Sequence, residues 1–451
     1  MATVPVWRDV YNLPRTIFSK VSPSERDLYF SFVASRLVGI QFKSYHDASQ
    51  KIPFVVHVHG ATNVPTAWFL KLIYPQIPII YTMHDYNREP TVSYDISKIL
   101  PYTKHSFKHP FRARILTLCS TGKSRKIRVI TVKHRSRYIN SAEFAYCADA
   151  LTTVSKGMII AITHSSEAYA RLITTFRARG RLTNVNNWIG TKAWSLARSV
   201  VSSDAPAAGK ISAKNFLFNN LEHFRHGNKL SIFGSRCVIL WIGRFEENKG
   251  IHILPYIHTT ACCTNCTLVI SGYGSSKRAR RLFTSVQETL NANAWRLSCP
   301  YLAVTSLQEQ AQFNTNIRAA ADIVVIPSVS EAYGLVAAEA LAYGSIPVVS
   351  AVGGLPEIIK PYSEPVFASS SSDIWNWTGF TFESFGTNWD LTGMSMQTSL
   401  KQAINMLALA EQRGLTEAVQ RNLIRSSPTG KTGFNIGVKG YGRIIDQLIH
   451  N

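Results

Sequence analysis

No run of about 18 apolar residues exists anywhere in the chain, so no segment is expected to span a bilayer as a helix. The first twenty residues put Trp7, Arg8, Asp9 and Pro14 where a secretory leader needs a continuous apolar stretch, and no leader is expected. Cysteine is scarce. The seven residues are odd in number and mostly scattered, which argues against a disulfide framework and for a reducing compartment. Glycine is almost missing from the opening, where Gly39 alone precedes Gly60, so no glycine-rich loop begins the chain. There is no internal repeat and no long low-complexity tract. What is present is an ordinary globular composition, 45% hydrophobic and 17% charged over 451 residues, which suits one large domain or two medium ones.

Acid is the other scarce class. The net charge is +22, and it is unevenly spread: residues 1–200 hold 28 Lys and Arg against 10 Asp and Glu, whereas residues 201–451 hold 21 against 17. No acid occurs between positions 96 and 142, where Lys104, Lys108, Arg112, Arg114, Lys123, Arg125, Lys126, Arg128, Lys133, Arg135 and Arg137 follow one another. Such a stretch attracts an anionic surface. Phosphate, nucleic acid, acidic lipid and acidic sugar all remain open, and a solvated loop face reads the same way.

Ser22-Pro23-Ser24-Glu25 reads as a helix start, with Leu28 and Phe32, and Tyr29, Val33 and Leu37, recurring at helical spacing. Strands are expected at 54–59, 77–83 and 150–155, with a helix over 66–74 between the first two. Apolar strands separated by helices imply a parallel sheet covered on both faces. From about 196 to 235 periodicity fades and Ser, Ala, Asn and Lys dominate, which reads as an interdomain connection. The alternation then restarts with strands at 238–242, 268–270, 323–326 and 347–349, each ending in a turn. The fold expected is therefore α/β with two doubly wound domains. The expected division is 1–200, a linker at 201–236, a second domain at 237–430 and a terminal helix at 431–451 that packs back on the first domain.

In such sheets ligands bind at the carboxyl ends of the strands. After the 323–326 strand a loop carries Glu331, and a helix begins near Gly334 with Glu339 about one and a half turns in. Backbone N–H groups of Gly334, Leu335 and Val336 at that helix start form an anion site, which the glycine lets a phosphate approach. A first-turn acid and a solvated helix acid are the plainer roles for the two glutamates. Gly243-Arg244 and Lys249-Gly250 follow the 238–242 strand, so Arg244 could fork two oxygens of a diphosphate and Lys249 could act as a point charge. Gly272-Tyr273-Gly274 permits close backbone approach, and Gly353-Gly354-Leu355-Pro356-Glu357 makes another tight turn. Cys263 and Cys266 have zinc-ligand spacing, but no second pair lies nearby and a structural role is expected.

These residues resemble a family. Glu331-x-Tyr333-Gly334-x4-Glu339 is similar to the E-x7-E motif of the retaining glycosyltransferases of family 4. Gly243-Arg244-x4-Lys249-Gly250, Ser271-Gly272-Tyr273-Gly274 and Gly353-Gly354-x-Pro356-Glu357 resemble further motifs of that family in the same order and spacing. Tyr81-Thr82-Met83-His84-Asp85 and Ala148-Asp149-Ala150-Leu151-Thr152-Thr153-Val154-Ser155 resemble its N-terminal strand ends more weakly. Starch and glycogen synthases are related, but their lysine-glycine-glycine loop is not found. The resemblance implies the GT-B fold, two Rossmann-like domains facing across a cleft, and retention at the anomeric carbon. It implies that Arg244 and Lys249 hold the diphosphate of a nucleotide-sugar, with Gly243, Gly272, Gly334, Leu335 and Val336 around it. Glu339 would hold the ribose, Glu331 the transferred sugar, and His84 that sugar from across the cleft. No metal and no cofactor is implied, and the eleven aspartates contain no Asp-x-Asp pair, the usual metal motif of the other major glycosyltransferase fold.

His59, on the same strand face as His57, is a further cleft candidate. The family's N-terminal glycine-rich loop has no counterpart here, and Asn184 to Gly190 is only loosely similar to its pre-linker stretch. Two other readings therefore stand beside transfer: an inactive GT-B protein that binds sugar nucleotide or glycan, and a basic nucleic-acid-binding protein, for which the basic stretch has few aromatics and no recognised binding motif. The basic stretch is expected to steer the protein to an anionic acceptor or a membrane surface in the cytoplasm.

Overall fold

The computed structural model describes residues 23–47, 54–85, 92–95, 138–187, 189, 191–220, 225–226, 237–274, 276–362, 377–428 and 430–449. The basic residues from Lys104 to Arg137, the first twenty residues, Ser22 and Gly190 lie outside them. The chain divides into two compact units, Met1–Val185 with Lys439–Asn451, and Asn186–Val438.

The first unit opens with α1 (Pro23–Asp47), whose buried stripe is Leu28, Ser31, Ala34 and Ser35. Tyr29 and Leu37, expected on an apolar face, are exposed, because small residues are what allow close packing here: a Cβ on Gly39 would stand 2.0 Å from the Tyr74 ring. After it come β1 (Val56–His59), α2 (Pro65–Ile73) and β2 (Ile79–Met83). A short antiparallel ribbon pairs β3 (Ser93–Asp95) with β4 (Tyr138–Asn140). Next are α3 (Ser141–Ala145), β5 (Ala150–Thr153), α4 (Lys156–Ser165), α5 (Glu167–Ala178) and β6 (Leu182–Asn184). The sheet order is β1-β2-β5-β6, and every pairing is parallel. Central β2 and β5 are buried throughout; edge strand β1 alternates, with Val58 buried and His57 and His59 exposed.

The second unit opens with α6 (Thr191–Val200) and α7 (Pro206–Asn219). Much of the stretch expected to be a linker is thus a packed helix. The reason is Lys210, whose ammonium is buried and donates to the carbonyls of Ala319 and Ala321 and to Ser345 Oγ. A lysine at a core position hides a helix from a reading of hydrophobic periodicity. Burial pushes its pKa down to about 7. The sheet then builds from β7 (Arg225–His226), β8 (Cys237–Arg244), β9 (Cys266–Tyr273), β10 (Tyr301–Val304), β11 (Ile323–Ile326), β12 (Ile346–Ser350) and β13 (Phe380–Phe382). Its order is β13-β12-β11-β8-β9-β10-β7, parallel except for β7 against β10. Helices α8 (Leu254–Cys263), α9 (Lys277–Leu297), α10 (Leu307–Ala320) and α11 (Leu335–Ala342) are the crossovers from β8 through β12, and α12 (Leu355–Ile358), α13 (Trp389–Gln412) and α14 (Thr416–Ser426) follow. Alternate residues of β8 enter two cores. Ile239 and Trp241 pack with Ile257, Leu290 and Leu400, while Val238 and Leu240 pack with Ala213, Ile317 and Ala338. Helices therefore cover both faces, as a parallel sheet requires.

The last helix, α15 (Gly430–Ile449), contributes its final residues to the first unit, where Ile444 packs with Ile80, Ala150 and Val185. No helix among the described residues is long and apolar enough to cross a membrane.

The cysteines correct an expectation. Cys237 and Cys266 begin neighbouring strands as register partners, with Cα atoms 4.6 Å apart, and are bonded; Cys262 of α8 is bonded to Cys299. Cys263 is free and exposed. Strand register brings together residues that spacing along the chain leaves unrelated, and the case for a reducing compartment loses its basis.

Candidate functional site

In the second unit the site is built from strand ends. At the end of the sheet Gly243 of β8 and Gly272 of β9 are register partners, and a Cβ on Gly272 would lie 2.4 Å from the Gly243 carbonyl oxygen. Only glycine allows two turns to leave adjacent strands so closely. Arg244 is half exposed and pairs with Glu246, Nη1 to Oε1 3.0 Å.

Beyond it a 3₁₀ turn, Glu247–Lys249, ends at Gly250 with φ +65°. A Cβ on Gly250 would stand 1.9 Å from the carbonyl oxygen of Pro327, and Val329 N–H donates to the Asn248 carbonyl at 2.9 Å. The loop after β8 is thereby clamped to the loop after β11. The clamp brings Lys249 Nζ within 2.6 Å of Glu331 Oε2, with only 23% and 19% of the two side chains exposed.

The turn after β12 closes on the same loop. Gly353, at φ +54°, leaves no room for a Cβ, which would lie 1.7 Å from the Glu331 carbonyl oxygen, and Gly354 N–H donates to that oxygen at 3.1 Å. Three strand ends, those of β8, β11 and β12, thus meet at Glu331.

Gly334 caps α11 in the left-handed region, φ +104°, and its carbonyl accepts from Ala337 and Ala338. The first amides of the helix, those of Leu335 and Val336 among them, have no carbonyl one turn back to bond. Leu335 is exposed, Val336 half-buried, and Tyr333 packs beneath with its hydroxyl pKa pushed up to about 12 by burial and by Glu357. Glu339 is held by Arg318 of α10, Oε2 to Nη1 2.5 Å. Arg318 escaped sequence reasoning because it sits in no motif; its only signal was a basic last turn on the helix that precedes β11.

The first unit carries its own cluster at the ends of β1 and β2. His59 Nδ1 and His84 Nε2 are 2.7 Å apart, and the His57 and His59 rings approach to 3.9 Å between centroids. His57 Nε2 meets Thr82 Oγ1 at 2.6 Å; Thr82 Oγ1 also contacts Thr152 Oγ1 and lies 3.2 Å from the Tyr441 hydroxyl. Crowding by protein, then repulsion among neighbouring imidazoliums, lowers His57 to about 3 and His59 to about 4, and burial lowers His84. His57 and His59 keep exposed edges, and all three rings are held toward the neutral form.

Glu331, Lys249, Gly243, Gly272, Gly334, Leu335 and Val336 lie at strand ends or at the start of α11 in one unit, Glu339 lies farther along α11, and His84 belongs to the other unit. Arg244 engages Glu246, not the Glu331 loop. Among the described residues one group, His258, Cys262 and Cys299, places metal-type donor atoms within 4.8 Å of one another. Its two sulfurs are bonded to each other, which leaves a single imidazole as a ligand. Cys266 is consumed by Cys237, so the Cys263-x2-Cys266 spacing is no metal pair either.

Residues 224–374 match the family Glycosyl transferases group 1. The glycogen synthase of Caldicellulosiruptor saccharolyticus is 23% identical over 312 residues, 67% of this chain and 59% of that one. The probable glycogen synthase 2 of Nostoc sp. is 24% identical over 319 residues, 68% and 58% of the respective chains. The chain thus spans about three fifths of the length of these curated relatives. The catalytic domain of Starch Synthase IV from Arabidopsis thaliana, bound to ADP and acarbose, aligns with TM-score 0.68 at 17% identity over 96% of this chain and 79% of that one. That likeness gives the fold, α/β of the GT-B class.

Proposed function

We propose that the chain is a retaining glycosyltransferase that moves a hexosyl group from a nucleotide-diphosphate sugar to an acceptor hydroxyl without a metal. The observation that carries this reading is the Lys249–Glu331 ion pair, locked by Gly250 and Gly353 at the start of α11. A fixed cation, a carboxylate and a helix start at one point suit a sugar diphosphate: the helix end and Lys249 favour the anion, and Glu331 accepts hydrogen bonds from sugar hydroxyls. The match of residues 224–374 and the names of the curated relatives support the same class.

The glycosidic carbon gains oxocarbenium character as its bond to the diphosphate breaks, so charge builds on the departing phosphate oxygen. Lys249, Arg244 and the amides of Gly334, Leu335 and Val336 would stabilise that oxygen. Donor binding would draw Lys249 partly from Glu331 toward phosphate, which frees the carboxylate for the sugar. Glu339, oriented by Arg318, would hold the ribose hydroxyls. His84 would meet the transferred sugar, as the motif resemblance implies. The anionic acceptor or membrane surface is proposed from charge alone, and neutral variants of Lys123, Arg125, Lys126 and Arg128 that bind acidic vesicles and acceptor like the parent would remove it.

The test is a panel of UDP-, GDP- and ADP-sugars in the presence of a chelator. One donor is expected to raise the melting temperature, since a ligand of the folded state stabilises it by mass action, and to be consumed by the parent. Glu331→Ala and Arg244→Ala should each abolish consumption. A donor that binds but is never transferred or hydrolysed would replace the enzyme with a sugar-nucleotide-binding protein.

A further inference from the structure

The histidine pair at the ends of β1 and β2 is tighter than a shared strand end requires. Gly60, at φ +72°, turns the chain sharply after His59; its N–H donates to the Thr82 carbonyl at 2.9 Å, and Asn63 Nδ2 donates to the His59 carbonyl at 2.9 Å. The parallel register sets His59 opposite Thr82, two residues before His84. The backbone under His59 is thus fixed before its side chain makes any contact. On that base the His59 and His84 rings lie nearly parallel, 28° between planes, with Nδ1 and Nε2 2.7 Å apart.

Two ring nitrogens at that distance share one proton. Both rings favour the neutral form, so one nitrogen must donate and the other accept. If His59 carries its proton on Nδ1, His84 must carry its own on Nδ1 and accept at Nε2. If His84 carries its proton on Nε2, His59 must carry its own on Nε2. No other pairing of neutral tautomers keeps the hydrogen bond. The second side of His59 is braced by the His57 ring, itself bound to Thr82 Oγ1 and 4.7 Å from the Tyr441 ring.

We infer that His59 is a positioning residue for His84. It fixes the rotamer of the His84 imidazole and couples that ring's tautomer to its own, so that the His59 tautomer decides whether His84 offers a substrate hydroxyl a donor or an acceptor. This rests on the role proposed above for His84. His57 acts one step further back, as a wall that keeps the His59 ring from turning away. A ring tied by a hydrogen bond at a strand end is restricted at the level that catalysis needs, where a displacement of about 1 Å can cost about a hundredfold in rate.

The test compares His59→Leu with His59→Asn in the full chain. The asparagine amide can replace Nδ1 as either donor or acceptor; leucine can do neither. His59→Leu is expected to lower kcat about 10- to 100-fold with donor affinity unchanged, and His59→Asn to recover most of the loss. With ¹⁵N-labelled histidine, the His84 nitrogen resonances should move in His59→Leu and stay close to the parent's in His59→Asn. Unchanged His84 resonances in His59→Leu, or equal kcat in all three proteins, would overturn the inference. If instead His84→Ala turns over like the parent while the resonances still respond to His59→Leu, the coupling stands and the catalytic role of His84 falls. Melting temperatures of the three proteins separate both outcomes from misfolding.

Discussion

Replacing Lys249 by Met keeps most of the side-chain volume and removes the charge. Its partner Glu331 is 2.6 Å away, and the two side chains are 23% and 19% exposed, between a surface pair and a buried one. Surface pairs contribute about 0–1 kcal/mol, and stripping one partner from a fully buried pair costs about 3–5, so Lys249→Met should cost about 1–2 kcal/mol of stability. For a unit of this size that is a melting shift of roughly 2–8 °C. The effect on function should be larger. A charged contact to phosphate is worth about 1.5–3 kcal/mol, so nucleoside diphosphate should bind roughly 10- to 100-fold more weakly by calorimetry. Removing a fixed charge from a developing oxyanion costs about 10²- to 10³-fold in kcat. The double variant Lys249→Met/Glu331→Gln should regain the stability, because no carboxylate charge is left facing the lost ammonium, but not the affinity. Diphosphate binding that is unchanged in Lys249→Met would refute the reasoning, since the pair would then be structural only.

Gly353→Ala should act through sterics: a left-handed alanine costs about 1–2 kcal/mol and its Cβ would strike the Glu331 carbonyl, for a total of about 2–4 kcal/mol and a clear drop in thermal melting together with loss of turnover. Acid should loosen the first unit. The three histidines have folded-state pKa values below the unfolded 6.5, so their contribution is complete above about pH 6.5 and is lost as pH falls toward the folded values, about 4 for His59 and about 3 for His57. Melting of His57→Phe/His59→Asn should depend less on pH across that window, and an identical dependence would contradict the assignment. Reduction of Cys262–Cys299, which closes a loop of 37 residues, should lower stability by about 4 kcal/mol in the chain-entropy view, read as a lower melting temperature in the presence of a thiol.

The motif glycines were the most legible part of the site because each answers a local backbone demand. Gly250, Gly334 and Gly353 have positive φ, and Gly250 and Gly353 sit where one loop touches another. Strands β2, β5, β8, β9, β11 and β12 were legible because central parallel strands are apolar on both faces, whereas β6, β7 and β10 were not expected. What stayed hidden required register or tertiary pairing. Arg318 reaches Glu339 from a neighbouring helix, Cys237 meets Cys266 only through strand alignment, and Lys210 turns an apparently polar connection into a core helix. Tyr29 and Leu37 follow helical spacing yet face outward, since the face that packs is chosen by the small residues that fit it. His84 was legible as a strand-end residue, but its bond to His59 arises from the parallel pairing of β1 with β2, which no motif records.

The most direct measurement is a crystal structure of the full chain with the nucleoside diphosphate that best stabilises it. The expected result places the diphosphate oxygens within about 3 Å of Lys249 Nζ and of the first amides of α11, with the ribose on Glu339. A diphosphate bound elsewhere, with Lys249 still closed on Glu331, would contradict the site and with it the proposed transfer.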